Sequence, residues 1–380
     1  MVDDATFTIA AQQIFDGCDM RGSGSVRVSR GRIEHVSFGT SAAGATVKLP
    51  SNVVLSPGLI DVQVNGGGGV LLNDQPTAAA VQRIVAAHRK SGTTGCLPTL
   101  ITDRTDIIEQ LASVAPTCLN IPGVLGFHLE GPALNKSRKG VHLEREIRVP
   151  DGRDLAAIRS FGSCGRSLVT VASECIPESM IVELIDAGLR IAVGHSEVTA
   201  AEMDRAANLG VSGVTHLFNA MSPLSARKPG LVGAALVDDR LFAGIICDGI
   251  HVDPAVLRIA VRCKGPERLM LVTDAMPLVG TRERHFLLQG RQITLHANRL
   301  TGPDGTLAGA HLTMMEAVRN SVTLLKIPLS DALIMGSRTP AAFLGLESEL
   351  GRIVPGYRAD LIAFTSNFEV LRTWVGGIGW

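Results

Sequence analysis

Along residues 59–276 apolar runs of strand length recur, and each gives way to polar or ionisable side chains. There are eight of them: "LIDVQVN", "TGCLPTLIT", "VLGFHLEGP", "SLVTVASE", "RIAVGHS", "GVTHLFNAM", "FAGIICDGIHV" and "LMLVTDAM". Between them lie segments such as "PTAAAVQRIVAAHRKSG", "PESMIVELIDAG", "TAAEMDRAANLG" and "DPAVLRIAVRCKG", with alanine and leucine at helical spacing and a glycine close to the end. Strands alternating with helices predict a parallel sheet, and eight such units predict an α/β protein built on a closed (β/α)8 TIM barrel.

The two ends of the chain have a different texture. The first 55 residues show short alternating segments such as "SVRVSRGRIEHVSF", broken by glycine, serine and proline, and "LGRIVPGYRADLIAFTSNFEVLRTWVGG" returns to short strands near the C-terminus. Residues 1–55 and 347–380 are therefore expected to pair into one small discontinuous β-sandwich domain, flanking a barrel of residues 56–346.

Composition narrows the function more than the fold. The 380 residues, 40.0 kDa in mass, carry 36 basic and 36 acidic side chains, so no bulk field draws nucleic acid or an anionic membrane, and an anionic ligand needs local donors. The seven cysteines form no C-x-x-C pair and read as buried reduced thiols rather than a disulfide framework or a thiolate zinc site. The N-terminal "MVDDATFTIAAQQIF" has two acids and no basic region before an apolar run, and no stretch is long and apolar enough to suggest a span. The expected location is the cytoplasm.

In a barrel of this kind active sites collect at the C-terminal ends of the strands. In chain order those ends offer Gln63 and Asn65, His128 and Glu130, Glu174, His195, His216, Asp248 and His251, and Asp274. Glu130, His195 and His216 come from three strands, and a carboxylate with two imidazoles is a common open catalytic zinc set. Any one histidine alone is more often a satisfied core or capping residue; three at equivalent strand ends argue against that. Asp274 suits a general base beside such a metal, and it equally suits a turn cap.

The first strand runs into four glycines, "DVQVNGGGGV". They lack the G-x-x-x-x-G-K-[ST] pattern and have no helix signal directly behind them, so a tight turn is expected rather than a phosphate loop.

The set "PGLIDVQVNGGGG", "LPTLIT", "GFHLEGP", "KGVH", "GHS", "THLFNAM", "DGIHVD", "LVTDAM", "GTLAGAHLTM" and "GRIVPGYRADL" resembles the N-acetylglucosamine-6-phosphate deacetylase family of the amidohydrolase superfamily, in order and over nearly the whole chain. The resemblance implies metal-dependent hydrolysis of the acetamide of N-acetylglucosamine 6-phosphate, in amino-sugar catabolism and cell-wall recycling. Amidohydrolases often carry His-x-His on the first strand for a second metal; here Gln63-Val64-Asn65 stands there, and the fourth strand offers no lysine for a carbamate bridge. One divalent metal per chain is therefore expected on Glu130, His195 and His216. Zinc is the first choice, and iron, manganese or cobalt also suit the set. Gln63, Asn65 and His128 would then line the site.

Carried over residue by residue, the resemblance implies that Asp274 moves the proton and that His142 meets the acetamide carbonyl. It implies sugar-phosphate contacts from Val141, Asn219, Ala220, the Asp248-Gly249-Ile250-His251 turn and the Leu307-Ala308-Gly309-Ala310 loop. It further implies a homodimer, or a dimer-based tetramer, in which Arg227 reaches the neighbouring site. Ser173 stands where many relatives have proline before the glutamate, and Glu174 is expected to form a structural salt bridge. The competing readings are a dihydroorotase- or hydantoinase-like amidohydrolase, disfavoured by the missing His-x-His and lysine, and a non-catalytic barrel binding protein, disfavoured by retention of the ligand set together with Asp274.

Overall fold

The computed structural model describes residues 6–39 and 44–380; the parts of the expected N-terminal segment formed by residues 1–5 and 40–43 lie outside them. All eight apolar runs form strands of one parallel sheet: β1 Leu59–Val64, β2 Thr93–Ile101, β3 His128–Glu130, β4 Leu168–Val171, β5 Arg190–Val193, β6 Gly213–Val214, β7 Phe242–Ile246 and β8 Leu269–Val272. Neighbours in sequence are neighbours in the sheet, and β1 and β8 stand at its two ends. The ring closes just beyond β8, where Ala275 bridges in parallel to Val64 and the Asp274 N–H donates to Gln63 O at 3.0 Å. Every residue of β1, β2 and β7 is buried, as expected for parallel strands covered on both faces.

Helices α1 Ala78–Arg89, α2 Thr105–Cys118, α3 Gly152–Ser160, α4 Glu178–Asp186, α5 Ala200–Asn208, α6 Gly230–Val237 and α7 Pro254–Lys264 connect the strands, and α8 Met314–Asn320, α9 Leu329–Gly336 and α10 Arg338–Leu344 follow the eighth. Their ends obey local chemistry. Thr199 and Glu202 form a reciprocal capping box at the start of α5, and Asp253 caps α7, whose first residue is Pro254.

The chain ends do pair. Val53–Pro57 lies antiparallel to Leu361–Thr365 in a six-stranded sheet that faces a four-stranded sheet containing Phe7–Ala11 and Gly24–Ser29. Ile9, Val26, Val28, Leu55, Leu361 and Trp374 fill the space between the two sheets as a core separate from that of the barrel.

One unit was not anticipated. After β8 the chain forms a three-stranded antiparallel sheet, His285–Leu288, Arg291–His296 and Arg299–Thr301. Its Leu288, Ile293, Leu295 and Leu300 pack on Leu71, Ile101, Met276 and Leu278, with Val141 against the same cluster, so the insert backs one side of the barrel mouth.

Candidate active site

Three strands deliver their site residue in the same way. His195, His216 and Asp274 each stand two positions beyond the last residue of β5, β6 and β8, and each has left-handed backbone, with φ of +49°, +31° and +50°. Such a conformation costs a non-glycine residue about 1–3 kcal/mol, and it persists here because the surrounding loops fix it. Its effect is to turn all three side chains inward at the strand ends.

Glu130 Oε1 lies 3.2 Å from His195 Nε2 and 3.1 Å from His216 Nε2, and the two imidazole nitrogens are 3.1 Å apart. All three residues are buried. Ligand atoms 2.0–2.1 Å from a tetrahedral ion stand about 3.3 Å from one another, so the observed triangle fits a single divalent cation. The Nδ1–H of His195 donates to Arg138 O at 2.7 Å, which fixes the tautomer whose Nε2 lone pair is free for a metal. Burial opposes the charge on Glu130, yet the two imidazoles hold its carboxyl well below the usual range.

The first-strand amides serve the carboxylates as donors. Asn65 Nδ2 donates to Asp274 Oδ1 at 2.6 Å, and Gln63 Nε2 reaches Asp274 Oδ1 at 3.2 Å and both Glu130 oxygens at 3.4 Å. Burial first, then the Glu130 charge, push the Asp274 carboxyl up to about 6. The glycine run behind them is zipped onto the chain beyond β8: the N–H groups of Gly66, Gly68 and Gly69 donate to the carbonyls of Ala275, Val279 and Pro277 at 2.8–2.9 Å. A side chain at Gly66 would meet Val70 O at 2.4 Å, so the glycines permit close backbone packing and their N–H groups are already spent.

A cavity of about 250 Å³ opens above the triangle. Of the residues expected there, it is lined by Asn65, Glu130, Val141, His142, His195, His216, Asn219, Ala220, His251, Asp274, Leu307 and Gly309; Ile101, Gly140, Ile246, Met276 and Thr306 line it too and were not anticipated. His142 is 3% exposed, its ring centroid stands 4.5 Å from that of His195, and burial, then the neighbouring His195, push its pKa down to about 3. It is a neutral imidazole at pH 7.

Asp248, Gly249, Ile250, Ala308 and Ala310 stand behind the lining. His251 Nδ1 donates to Asp248 Oδ2 at 2.6 Å, while the N–H groups of Ile250 and His251 donate to Asp248 Oδ1 across the Gly249 turn. Ala308 and Ala310 are buried in the wall, where the Ala310 N–H donates to Asp274 O at 2.9 Å. Gly309, with φ of +60°, leaves no room for a side chain, whose first carbon would lie 2.9 Å from Asp274 O.

Three expected residues lie below the mouth or away from it: Gln63 is buried beneath the cavity lining and reaches the site only through its hydrogen bonds to Asp274 and Glu130, and His128 and Arg227 stand farther off. His128 is wholly buried inside the barrel, with Nε2 2.8 Å from Thr170 Oγ1, and burial pushes it down to about 4. Arg227 is exposed on the loop between Ser222 and Gly230 and is not among the residues lining the cavity. Glu174 corrects an expectation: it accepts hydrogen bonds from Asn135 Nδ2, Ser196 Oγ and Glu197 N, and forms no salt bridge among the described residues. Uncharged donors from two loops surround it where a cation was expected.

The Amidohydrolase family matches residues 54–378. The chain belongs to the amidohydrolase family. It is 38% identical to an N-acetylgalactosamine-6-phosphate deacetylase of Shewanella sp. (strain ANA-3) over 87% of this chain and 84% of that one. It is 35% identical to an N-acetylglucosamine-6-phosphate deacetylase of Haemophilus influenzae over 87% of each. The crystal structure of N-acetylglucosamine-6-phosphate deacetylase from Pasteurella multocida superposes with a TM-score of 0.95 at 32% identity, over 99% of this chain and 100% of that one. Within this amidohydrolase, the expected barrel and its converging acid and imidazoles are what the structure contains; no helix among the described residues is long and apolar enough to cross a membrane.

Proposed function

We propose that this amidohydrolase removes the acetyl group of N-acetylglucosamine 6-phosphate, yielding glucosamine 6-phosphate and acetate in the cytoplasm. The observation that carries the reading is the Asp274 carboxylate, held by Asn65 and Gln63 beside the Glu130–His195–His216 triangle at the floor of a sugar-sized cavity. Amide hydrolysis needs an activated water, stabilisation of the carbonyl oxygen as it becomes negative, and an acid for the departing nitrogen. A divalent ion on the triangle, with zinc the first choice, supplies Lewis acidity toward water and carbonyl.

The side chains account for the rest of the reaction. Asp274 takes a proton as water adds to the acetamide carbon. It returns that proton to the sugar nitrogen as the C–N bond breaks, so acetic acid and a free amine leave and then ionise to acetate and an ammonium. His142, neutral and buried, donates to the carbonyl oxygen. Val141, Asn219, Ala220, Leu307 and Gly309, which line the cavity, would enclose the sugar ring, and His251, held by Asp248 in the same cavity wall, would meet the phosphate with its other nitrogen. Arg227 completes the phosphate site from the second subunit of a homodimer, where a guanidinium fork suits phosphate oxygens.

The 38% identity to an N-acetylgalactosamine-6-phosphate deacetylase favours a second reading in which the sugar has the opposite configuration at C4. Measuring kcat/KM for both sugar phosphates decides between them: the first reading predicts preference for the gluco sugar, and preference for the galacto sugar contradicts it.

A further inference from the structure

Asp61 is a wholly buried carboxyl, does not line the cavity and takes no part in the chemistry above. Its hydrogen bonds go to Thr273, just beyond β8, and to Gln63 on its own strand. Oδ2 accepts from Thr273 Oγ1 at 2.5 Å, and Oδ1 accepts from the N–H groups of Thr273 and Gln63, both at 3.2 Å. The same Thr273 hydroxyl oxygen accepts from the Ala275 N–H at 3.2 Å. Asp274 sits between these two anchored neighbours, in left-handed backbone, with its own N–H donated to Gln63 O.

A side chain of ordinary strand conformation at position 274 would point elsewhere, because its direction follows from φ and ψ. Asp61 grips the residue before Asp274 through both backbone and side chain, and the gripped hydroxyl holds the residue after it. Full burial gives the carboxyl no water to turn to, so losing any of these donors is costly.

We infer that Asp61 is a positioning residue for Asp274: from beneath the site it fixes the Thr273–Ala275 turn that aims the Asp274 carboxylate at the metal triangle. The inference rests on the reading of Asp274 as the proton carrier. It assigns Asp61 no contact with substrate.

Metal-loaded Asp61→Asn is expected to lose about tenfold or more in kcat, with KM and metal content within about twofold of the parent protein. Thr273→Val, which removes the same contact from the other side, is expected to behave alike and serves if Asp61→Asn fails to fold. Thr273→Ser, which keeps the hydroxyl, should restore near-parent kcat. An unchanged kcat in Asp61→Asn, or a loss spread over KM and metal content, overturns the inference. A crystal structure of either variant tests it without substrate: Asp274 should leave its contact with Asn65, and an unmoved Asp274 overturns the proposal. Failure of the parent protein to hydrolyse either sugar phosphate counts against the deacetylase reading alone.

Discussion

Asn65 Nδ2 donates to Asp274 Oδ1 at 2.6 Å, and this contact shows what the first strand does where many amidohydrolases hold a second metal. An amide that donates to a carboxylate is a partner for the base, and its nitrogen has no lone pair to offer an ion. With Gln63 placed likewise, the strand braces Asp274 and Glu130.

Metal stoichiometry follows from that arrangement. Glu130→Gln, His195→Ala and His216→Ala should each empty the site and abolish turnover, while Gln63→Ala should keep its metal. Elemental analysis of the purified variants checks this; two tightly bound ions per parent chain would contradict it.

Asp274→Asn should retain metal and bind the sugar phosphate while losing at least about 10²-fold in kcat, because the amide keeps the shape and cannot take a proton. The pH profile carries a sign. The base works ionised, so kcat/KM falls as pH drops through its pKa. Without metal that value is about 6, raised by burial and by Glu130; a cation at Glu130 offsets the second cause, so the acid limb should centre at or below pH 6. A midpoint above pH 7 would remove Asp274 from this role.

The barrel was legible because its period is short and repeated: each strand is an apolar run, and the site residues stand at or just beyond the C-terminal ends of those runs. Depth was harder to read. His128 and Glu130 are two apart on β3 and share a face, but one pleat, about 6.6 Å, separates a residue at the mouth from one inside the barrel. The insert at residues 285–301 escaped notice because its strands are three to six residues long and half exposed, without the sustained burial that marks the barrel strands. The left-handed turn at Asp274 leaves no local mark either, since its anchors Asp61 and Gln63 lie more than 200 residues away in sequence.

Asp61 also predicts a pH dependence of stability that needs no substrate. Burial, against the pull of its hydrogen bonds to Thr273 and Gln63, pushes its carboxyl up to about 7, compared with about 3.9 in an unfolded chain. Between those values the folded protein binds a proton that the unfolded chain releases, so this group's contribution to stability declines as pH rises from about 4 to 7. Asp61→Asn lacks the penalty. Its Tm relative to the parent protein should therefore improve between pH 5 and pH 8; a difference that stays constant would contradict the assignment.

Arg227→Ala should raise KM for the phosphorylated sugar and barely affect the unphosphorylated one, since loss of a charge-assisted contact weakens ground-state and transition-state binding alike. Mixing Arg227→Ala with Asp274→Asn chains locates the arginine. Action across the interface gives hybrid dimers one intact site and recovered activity. Hybrids that form and stay inactive would refute the shared site.

Metal-assisted opening of the acetamide is reached directly by one measurement: amine release from N-acetylglucosamine 6-phosphate by the same preparation before chelation, after chelation, and after return of one equivalent of zinc per chain. Turnover, its loss, and its recovery at a stoichiometry of one are the expected results. Full activity in protein stripped of metal, or no amine release from the loaded enzyme, would contradict metal-assisted opening.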